Sequence, residues 1–542
     1  MRRALLVCAL ALAALTGFAA PAAAHATLES SVPAGGARLD TPPRRVLLEF
    51  SERVEVALGG VRVFDSGGDR VDRGDLSHPN GRGSAVALTL PRLADGGYVV
   101  TWRVVSADSH PSQGAFSFVV GDAAPASAGE VAGLLGQRSG SSVVGVSYGV
   151  SRTVAFAGLL VLLGAVAFVV LVWPGARRDP RFRRVVVIAL GLFTIATVTN
   201  LVLQTGYAAG LSVGDAVTFD AISDAGGTRF GRVYEVRLGL LVVAGPLVWI
   251  LMRASPLPRW WRGVALLTGV AIAATPGLAG HAAVGSHQPW ALAADVIHVC
   301  AAALWLGGLV MLVVTLPRVG DDDATAMAMA KCYSRLAFRA VVVLVATGLF
   351  QAYRQVGTVA ALRTTEYGKF LAVKTLLVGT VLLVAWVSRR TVRHWGDGSV
   401  VALRRMVAVE AAIAIAVLSV TALLVNAPPA KLSAAAPQSG ELRGAALLVD
   451  YTVSPGRAGR NDIHLYTLTR AGQQQAVEEM TLSLSLDDNG IASFEVPLVN
   501  AGPGHYQALD FDVPLPGRWK ILLTARTSAI DSEVFEGTVA IR

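Results

Sequence analysis

Residues suited to chemistry are few in this chain and unevenly placed. Nine histidines occur in 542 residues, and the first of interest is His25. Before it, Arg2 and Arg3, an apolar stretch from Ala4 to Ala20, and the tail Ala22-Ala23-Ala24 have the charged, hydrophobic and cleavable parts of a secretory signal peptide in order. Cleavage after Ala24 would make His25 the first residue, with its α-amine and Nδ1 able to close a chelate ring on one metal ion. Asp108 and His110 stand two apart in Ser106-Ala107-Asp108-Ser109-His110, so on a strand they leave the same face. Together the three residues offer nitrogens and a carboxylate oxygen, a tetragonal set that suits Cu(II) and, less well, Ni(II). Cu(I) would want thiolate or thioether, and no methionine occurs between Met1 and Met252. Taken singly, the Asp-x-His pair reads more readily as a solvated strand end, and His25 as an accident of cleavage.

A second group lies in apolar sequence. His281, His287 and His298 fall within eighteen residues, and Asp295 precedes His298 by three, on the same face of a helix. Ionisable groups inside a membrane span are costly and mark a pathway, a relay or a cofactor site. Imidazole suits copper, but histidines on facing helices can also hold haem. Asn200, Gln204, Gln351, Arg354 and Lys374 either line an outward-facing polar cavity with them or act as interhelical hydrogen-bond glue with snorkelling cations. Near the end of the chain His464, His505 and Met480 could make a secondary copper site or be ordinary surface and core residues. His78, in Ser-His-Pro-Asn, reads as a turn histidine. Three cysteines, Cys8, Cys300 and Cys332, cannot build a disulfide framework or a cysteine zinc site.

The elements that must position these groups follow from composition. With 53% hydrophobic residues, 16% charged and a mean hydropathy of +0.54, the chain is not an ordinary soluble protein. Its net charge of +9 does not imply nucleic acid, because the cations cluster at the ends of apolar runs. Residues 1–24 read as the signal peptide. Residues 25–121 hold short β-like runs at Val46 to Phe50, Val61 to Asp65, Ala85 to Leu90, Tyr98 to Val105 and Ala115 to Val120, the pattern of an exported all-β, Ig-like sandwich. A linker of small residues at 122–147 leads to a membrane domain, 148–426, with eight apolar runs long enough to span a bilayer, at 151–173, 185–207, 237–252, 262–280, 290–316, 338–356, 369–388 and 406–426. Alternate loops are rich in arginine (Arg177 to Arg184, Arg253 to Arg262, Arg318 to Arg339, Arg389 to Arg405). The others hold only Arg229, Arg232 and Arg237, then Arg354, Arg363 and Lys369. The positive-inside rule therefore places both termini on the extracytoplasmic side of the cell membrane. A linker at 427–440 precedes a second exported β-sandwich, 441–542. The expected fold is a multi-domain membrane protein: sandwich, eight-helix transmembrane bundle, sandwich.

His-Ala-Thr-Leu at 25–28, Leu48-Glu49-Phe50-Ser51-Glu52, the Asp-x-His segment and Gly114-Ala115-Phe116-Ser117-Phe118 resemble the periplasmic copper-binding protein CopC across residues 25 to 121. That resemblance implies Cu(II) held by His25, Asp108 and His110, with Glu52 supporting a ligand from behind. It implies no Met/His-rich Cu(I) site, since the corresponding region offers only His78. His298 with Trp305-Leu306-Gly307-Gly308-Leu309, Cys332-Tyr333-Ser334-Arg335 and Thr364-Thr365-Glu366-Tyr367-Gly368-Lys369 resemble the copper resistance protein CopD, over about residues 150 to 425. Asp450-Tyr451-Thr452-Val453, Gly502-Pro503-Gly504-His505-Tyr506 and Leu515-Pro516-Gly517-Arg518-Trp519 resemble YtkA-like β-domains. A CopC/CopD fusion implies copper homeostasis and resistance at the inner membrane. Cu(II) would be captured outside and imported through His281, His287, Asp295 and His298, and Cu(I) is the other form the membrane domain could carry. Partners are then the membrane, copper ions and other copper-handling proteins, with no nucleic acid and no enzymatic activity. External buffering without transport, and a haem-containing membrane copper reductase, are the competing readings. No G-x-x-x-x-G-K-[ST] segment is present to couple ATP.

Overall fold

The computed structural model describes residues 26–106 and 111–123 apart from 27 and 36, then 142–280, 288–319, 323–356 and 359–393, parts of 409–430, and 438–541 apart from 455, 471–474, 487–490, 503 and 529–530. His25, Asp108, His110, His281 and His287 lie outside the described residues.

The N-terminal sandwich pairs two four-stranded sheets. One has the order β1 (Leu28–Val32), β3 (Arg45–Phe50), β6 (Ala85–Thr89), β5 (Leu76–Ser77). The other runs β2 (Arg38–Leu39), β8 (Pro111–Val120), β7 (Gly96–Ser106), β4 (Val54–Asp65). On β3 every second residue, Val46, Leu48 and Phe50, is buried, the period that turns one face of a strand to a core. These side chains meet Val61, Val63, Val100, Val104 and Phe118 from the opposite sheet. Asp72 is buried at the rim, accepting from Val63 N at 2.8 Å, Gly74 N at 2.9 Å and the Arg70 guanidinium.

The C-terminal sandwich has a five-stranded sheet, β14 (Val499–Gly502), β15 (His505–Val513), β11 (Gly459–Thr469), β10 (Leu447–Ser454), β9 (Gln438–Arg443). It faces a four-stranded one, β13 (Ile491–Val496), β12 (Glu479–Leu486), β16 (Gly517–Arg526), β17 (Ser532–Ile541). Strict alternation on β10 and β12 builds its core around the fully buried Trp519.

Between the sandwiches in sequence, seven helices among the described residues are long and apolar enough to cross a membrane. The first four are α1 (Ser142–Leu171), α2 (Pro180–Ala209), α3 (Arg229–Arg253) and α4 (Arg259–Leu278). The fifth span, Gln288–Leu316, consists of α5 (Gln288–Ala302), a π turn at Ala303–Gly307 and α6 (Gly308–Val319). The last two are α7 (Asp323–Val356) and α8 (Glu366–Arg393). About half of the expected eighth run, 406–426, lies outside the described residues, and 409–410, 412–413 and 416–421 are helical. Helix α2 starts at Asp179, whose side chain accepts from Arg181 N, and stops at Gly210, whose φ of 72° a side chain would resist.

Two packing features matter for the site. Gly164 on α1 and Gly307 in the π turn sit backbone to backbone, which only the absence of side chains allows. Tyr333 on α7 donates its hydroxyl to Trp305 O in that turn at 2.6 Å. Arg237, expected among external loop cations, instead lies inside α3 and is 4% exposed. Its guanidinium stacks over Tyr234 at 4.2 Å and Nε donates to Thr275 Oγ1 at 2.8 Å, contacts that offset the cost of burying the charge.

Candidate metal centre

In the N-terminal sandwich, backbone register brings together the elements on which the proposed ligands lie. β7 ends at Ser106 and β8 begins at Pro111, so 107–110, with Asp108 and His110, is the connection between two paired strands. Ser112 Oγ donates to Ala26 O at 2.8 Å, which ties the residue after His25 to the residue two beyond His110. Ala26 is itself buried, at 1% exposure. Val54 pairs with Ser106, so Glu52, two residues before, stands near the same end of the sheet with both carboxylate oxygens buried. His78 precedes a short helical turn, Pro79–Gly81, and its Nδ1 lies 2.8 Å from Ala85 O, a turn role as expected.

In the membrane unit, Asp295 and His298 share one face of α5 and meet α7 in two rungs. Asp295 Oδ1 accepts from Gln351 Nε2 at 3.2 Å, and His298 Nδ1 lies 2.8 Å from Thr347 Oγ1. Thr347 and Gln351 are four apart on α7, so both reach the same neighbour. The Thr347 hydroxyl also lies 2.7 Å from Val343 O and 3.2 Å from Leu344 O; with its proton on either carbonyl it accepts from His298 Nδ1–H, the tautomer that leaves the Nε2 lone pair for a ligand. One glycine makes room: a Cβ on Gly277 of α4 would lie 2.5 Å from Asp295 Oδ2, whereas one on Gly348 would sit 3.7 Å from His298 Cε1, in ordinary contact. Lys374 on α8 is near enough to act electrostatically on both groups.

Gln351 and Lys374 thus join the pair. Asn200 and Gln204 are buried on α2, and the Asn200 amide has no hydrogen-bond partner among the described residues. Of the soft ligands, Met311 is fully buried in the helical core, Cys332 Sγ lies 3.5 Å from Leu171 O, and Cys300 is a half-buried thiol two residues after His298 on α5. Among the described residues no group of three His, Cys, Asp or Glu could hold a metal ion. Gly277 carried no signal in the sequence, and Thr347 entered only within Thr347-Gly348-Leu349-Phe350-Gln351-Ala352, a run that resembles CopD, four residues before Gln351.

The matches to known families agree with this layout. Residues 28–121 match a family described as the CopC domain. Residues 143–289 match the copper resistance protein D-like, N-terminal domain, and 327–424 match copper resistance protein D. The chain belongs to the copper resistance family, with CopC and CopD fused. Its CopC part is 35% identical over 115 residues to copper resistance protein C of Escherichia coli, covering 19% of this chain and 87% of that protein. It is 34% identical over 101 residues to protein YobA of Escherichia coli, covering 18% of this chain and 79% of YobA. The fusion as a whole is 25% identical over 527 residues to copper transport protein CutJ of Bacillus subtilis, covering 92% of each chain. The CopC part has the β-sandwich fold, and the CopD part makes the chain a multi-pass membrane protein.

Proposed function

We propose that this CopC/CopD fusion imports copper: the outer CopC domain captures Cu(II) and the membrane helices admit the ion to the cytoplasm. The observation that carries the reading is His298, held by Thr347 so that Nε2 is presented on the same helical face as Asp295. An oriented imidazole and a carboxylate inside a span are what a copper path requires and what a purely structural helix avoids. CutJ, similar along nearly the whole chain, is described as a copper transport protein.

In this reading, removal of the leader after Ala24 frees the His25 amine, and His25, Asp108 and His110 hold Cu(II), with Glu52 bonded behind a ligand. The tether from Ser112 to Ala26 supports it, because it keeps the chain start beside the β7–β8 connection. Copper then moves by ligand exchange to His281, His287, Asp295 and His298, which avoids releasing a free ion. Both sandwiches face the extracytoplasmic side.

The test is radioactive copper entry into vesicles carrying the protein with its sandwiches outward. Entry lost in a His281→Ala/His298→Ala form supports the path. Binding without entry in the native chain refutes transport and leaves external buffering, and a Soret band in the purified protein would favour a haem reductase. Extending the mature N-terminus by one residue should sharply weaken Cu(II) binding; an unchanged affinity and spectrum would sink the amine chelate.

A further inference from the structure

At one end of the membrane unit, two arginines tie neighbouring connections together. Arg177, in the turn Pro174–Arg178 after α1, donates Nη1 to Ala254 O at 2.7 Å and Nη2 to Ser255 Oγ at 3.3 Å, both just past α3. Arg183 on α2 donates Nε to Arg177 O at 2.7 Å and Nη2 to Met252 O at 2.8 Å. The α1–α2 and α3–α4 connections therefore form a single surface. This is the end that the positive-inside rule assigns to the cytoplasm.

The remaining arginines of that surface, Arg178, Arg181, Arg184, Arg253, Arg259 and Arg262, are exposed. Among the described residues none of their guanidinium groups makes a hydrogen bond or an ion pair. Asp179 is the sole acid in 172–184 and 252–262, and it is buried, its side chain accepting from Arg181 N at 2.8 Å. Arg181 and Arg184 are three apart near the start of α2, and Arg259 and Arg262 three apart at the start of α4, so each pair leaves one face of its helix. There the helix dipole opposes a cation, and like charges repel, with no bond inside the fold to offset either effect. Trp260 stands among these cations 55% exposed, whereas Trp261 turns inward and donates Nε1 to Leu247 O at 2.9 Å. An exposed indole at a span end belongs at the depth where lipid headgroups meet water.

We infer that this arginine surface docks the phosphates of anionic phospholipids in the adjoining leaflet. A guanidinium takes a phosphate through two parallel N–H···O bonds, and arginines at a span end lie within reach of the headgroups without moving the helices. A zwitterionic headgroup brings a cation with each phosphate and so fits a surface of unpaired arginines less well. Because the struts join the two connections, lipid bound across them braces α1 to α4 together. The inference rests on these helices lying in a membrane and not on copper movement.

Thermal melting of the full-length protein in detergent, with short-chain phosphatidylglycerol or phosphatidylcholine added, tests it. Phosphatidylglycerol should raise the melting temperature by several degrees more than phosphatidylcholine does, and the difference should shrink in high salt. In Arg181→Gln/Arg184→Gln/Arg259→Gln/Arg262→Gln the difference should vanish, whereas Arg457→Gln/Arg518→Gln, which removes exposed charge from the C-terminal sandwich, should keep it. Should the fourfold variant fail to fold, Arg259→Gln/Arg262→Gln decides, by showing a smaller difference than the parent. Equal gains from the two lipids in the parent, or the full phosphatidylglycerol gain in a folded arginine variant, overturn the site. So does an equal gain from inorganic phosphate, which needs no membrane. If the arginine variant already melts low without lipid and Asp321→Asn/Asp322→Asn melts equally low, the surface is occupied by the chain's own acidic segment and the lipid assignment falls.

Discussion

A methyl group at Gly307 has no space. Its Cβ would lie 2.0 Å from Leu160 O and 2.9 Å from Gly164 Cα, while a Cβ on Gly164 would lie 2.4 Å from Ala303 O. These neighbours are backbone, so no rotamer change relieves the clash. Gly307→Ala therefore has to open the seam between α1 and the π turn from 2.0 Å to ordinary contact at 3.4 Å. A gap of about 0.5–1 Å already forfeits a quarter to a half of each dispersion contact, and overpacking of this kind costs about 1–3 kcal/mol. The backbone clash puts Gly307→Ala toward the upper end of that range. The expected outcome is a melting temperature in detergent several degrees below the parent and, on the proposed copper path, reduced entry because α5 carries Asp295 and His298 in the same span. Gly191→Ala and Gly239→Ala are the controls. Nothing lies within 4 Å of either Cβ, and alanine gains about 0.5–1 kcal/mol over glycine within a helix. If Gly307→Ala melts as high as Gly239→Ala, the close approach argued for this seam is wrong.

Three further outcomes follow from named groups. Tyr333→Phe removes the 2.6 Å bond to Trp305 O and should destabilise the helical unit by about 1 kcal/mol in thermal unfolding, with no effect on copper binding by the CopC domain. Asp72→Ala leaves the Val63 and Gly74 amides and Arg70 unmatched and should cost the N-terminal sandwich about 2 kcal/mol in denaturant unfolding. Burial raises the Asp72 carboxyl, but the bonds from Arg70, Val63 and Gly74 outweigh it and hold it below the ordinary 3.8, so this stability is present above pH 3.8 and lost as pH falls further. Burial, and next the neighbouring His464, push His505 down to about 4. The C-terminal sandwich should thus be fully stable above pH 6.5 and lose up to about 3 kcal/mol between pH 6.5 and 4, where the unfolded chain takes up a proton the folded one does not. A flat urea midpoint over that interval, or the same slope in His505→Gln, would contradict this.

Much of the fold was legible because its signals are local. The runs at 46–50, 61–65, 85–90, 98–105 and 115–120 are short, rich in β-branched and aromatic residues and bounded by turn residues, and fall within β3, β4, β7 and β8 or, at 85–90, reach one residue past β6. The apolar runs from 151 to 388 correspond to the seven described spans, since bilayer thickness alone sets their length. Strands β1, β2, β5, β9, β13, β14, β15 and β17 were not read. β13, for example, buries little besides Val496, so it carries no clear period. Arg237 looked like a loop cation because hydropathy prices its charge without seeing Tyr234 or Thr275, which belong to its surroundings in the folded bundle.

For the site the division is similar. Sequence alone put Asp295 and His298 on one helical face and named Asp108 with His110, because spacing within one element is a local property. It could not supply the Thr347 hydroxyl that meets His298 Nδ1, the Gly277 and Gly348 surfaces against that pair, or the glycine seam beside it. Nor could it bring His464 to 3.2 Å from His505, forty-one positions on, or move Met480 to the opposite sheet. Periodicity encodes which face a residue takes, but which faces meet is decided by packing between elements distant in the chain, and only the tertiary structure carries it.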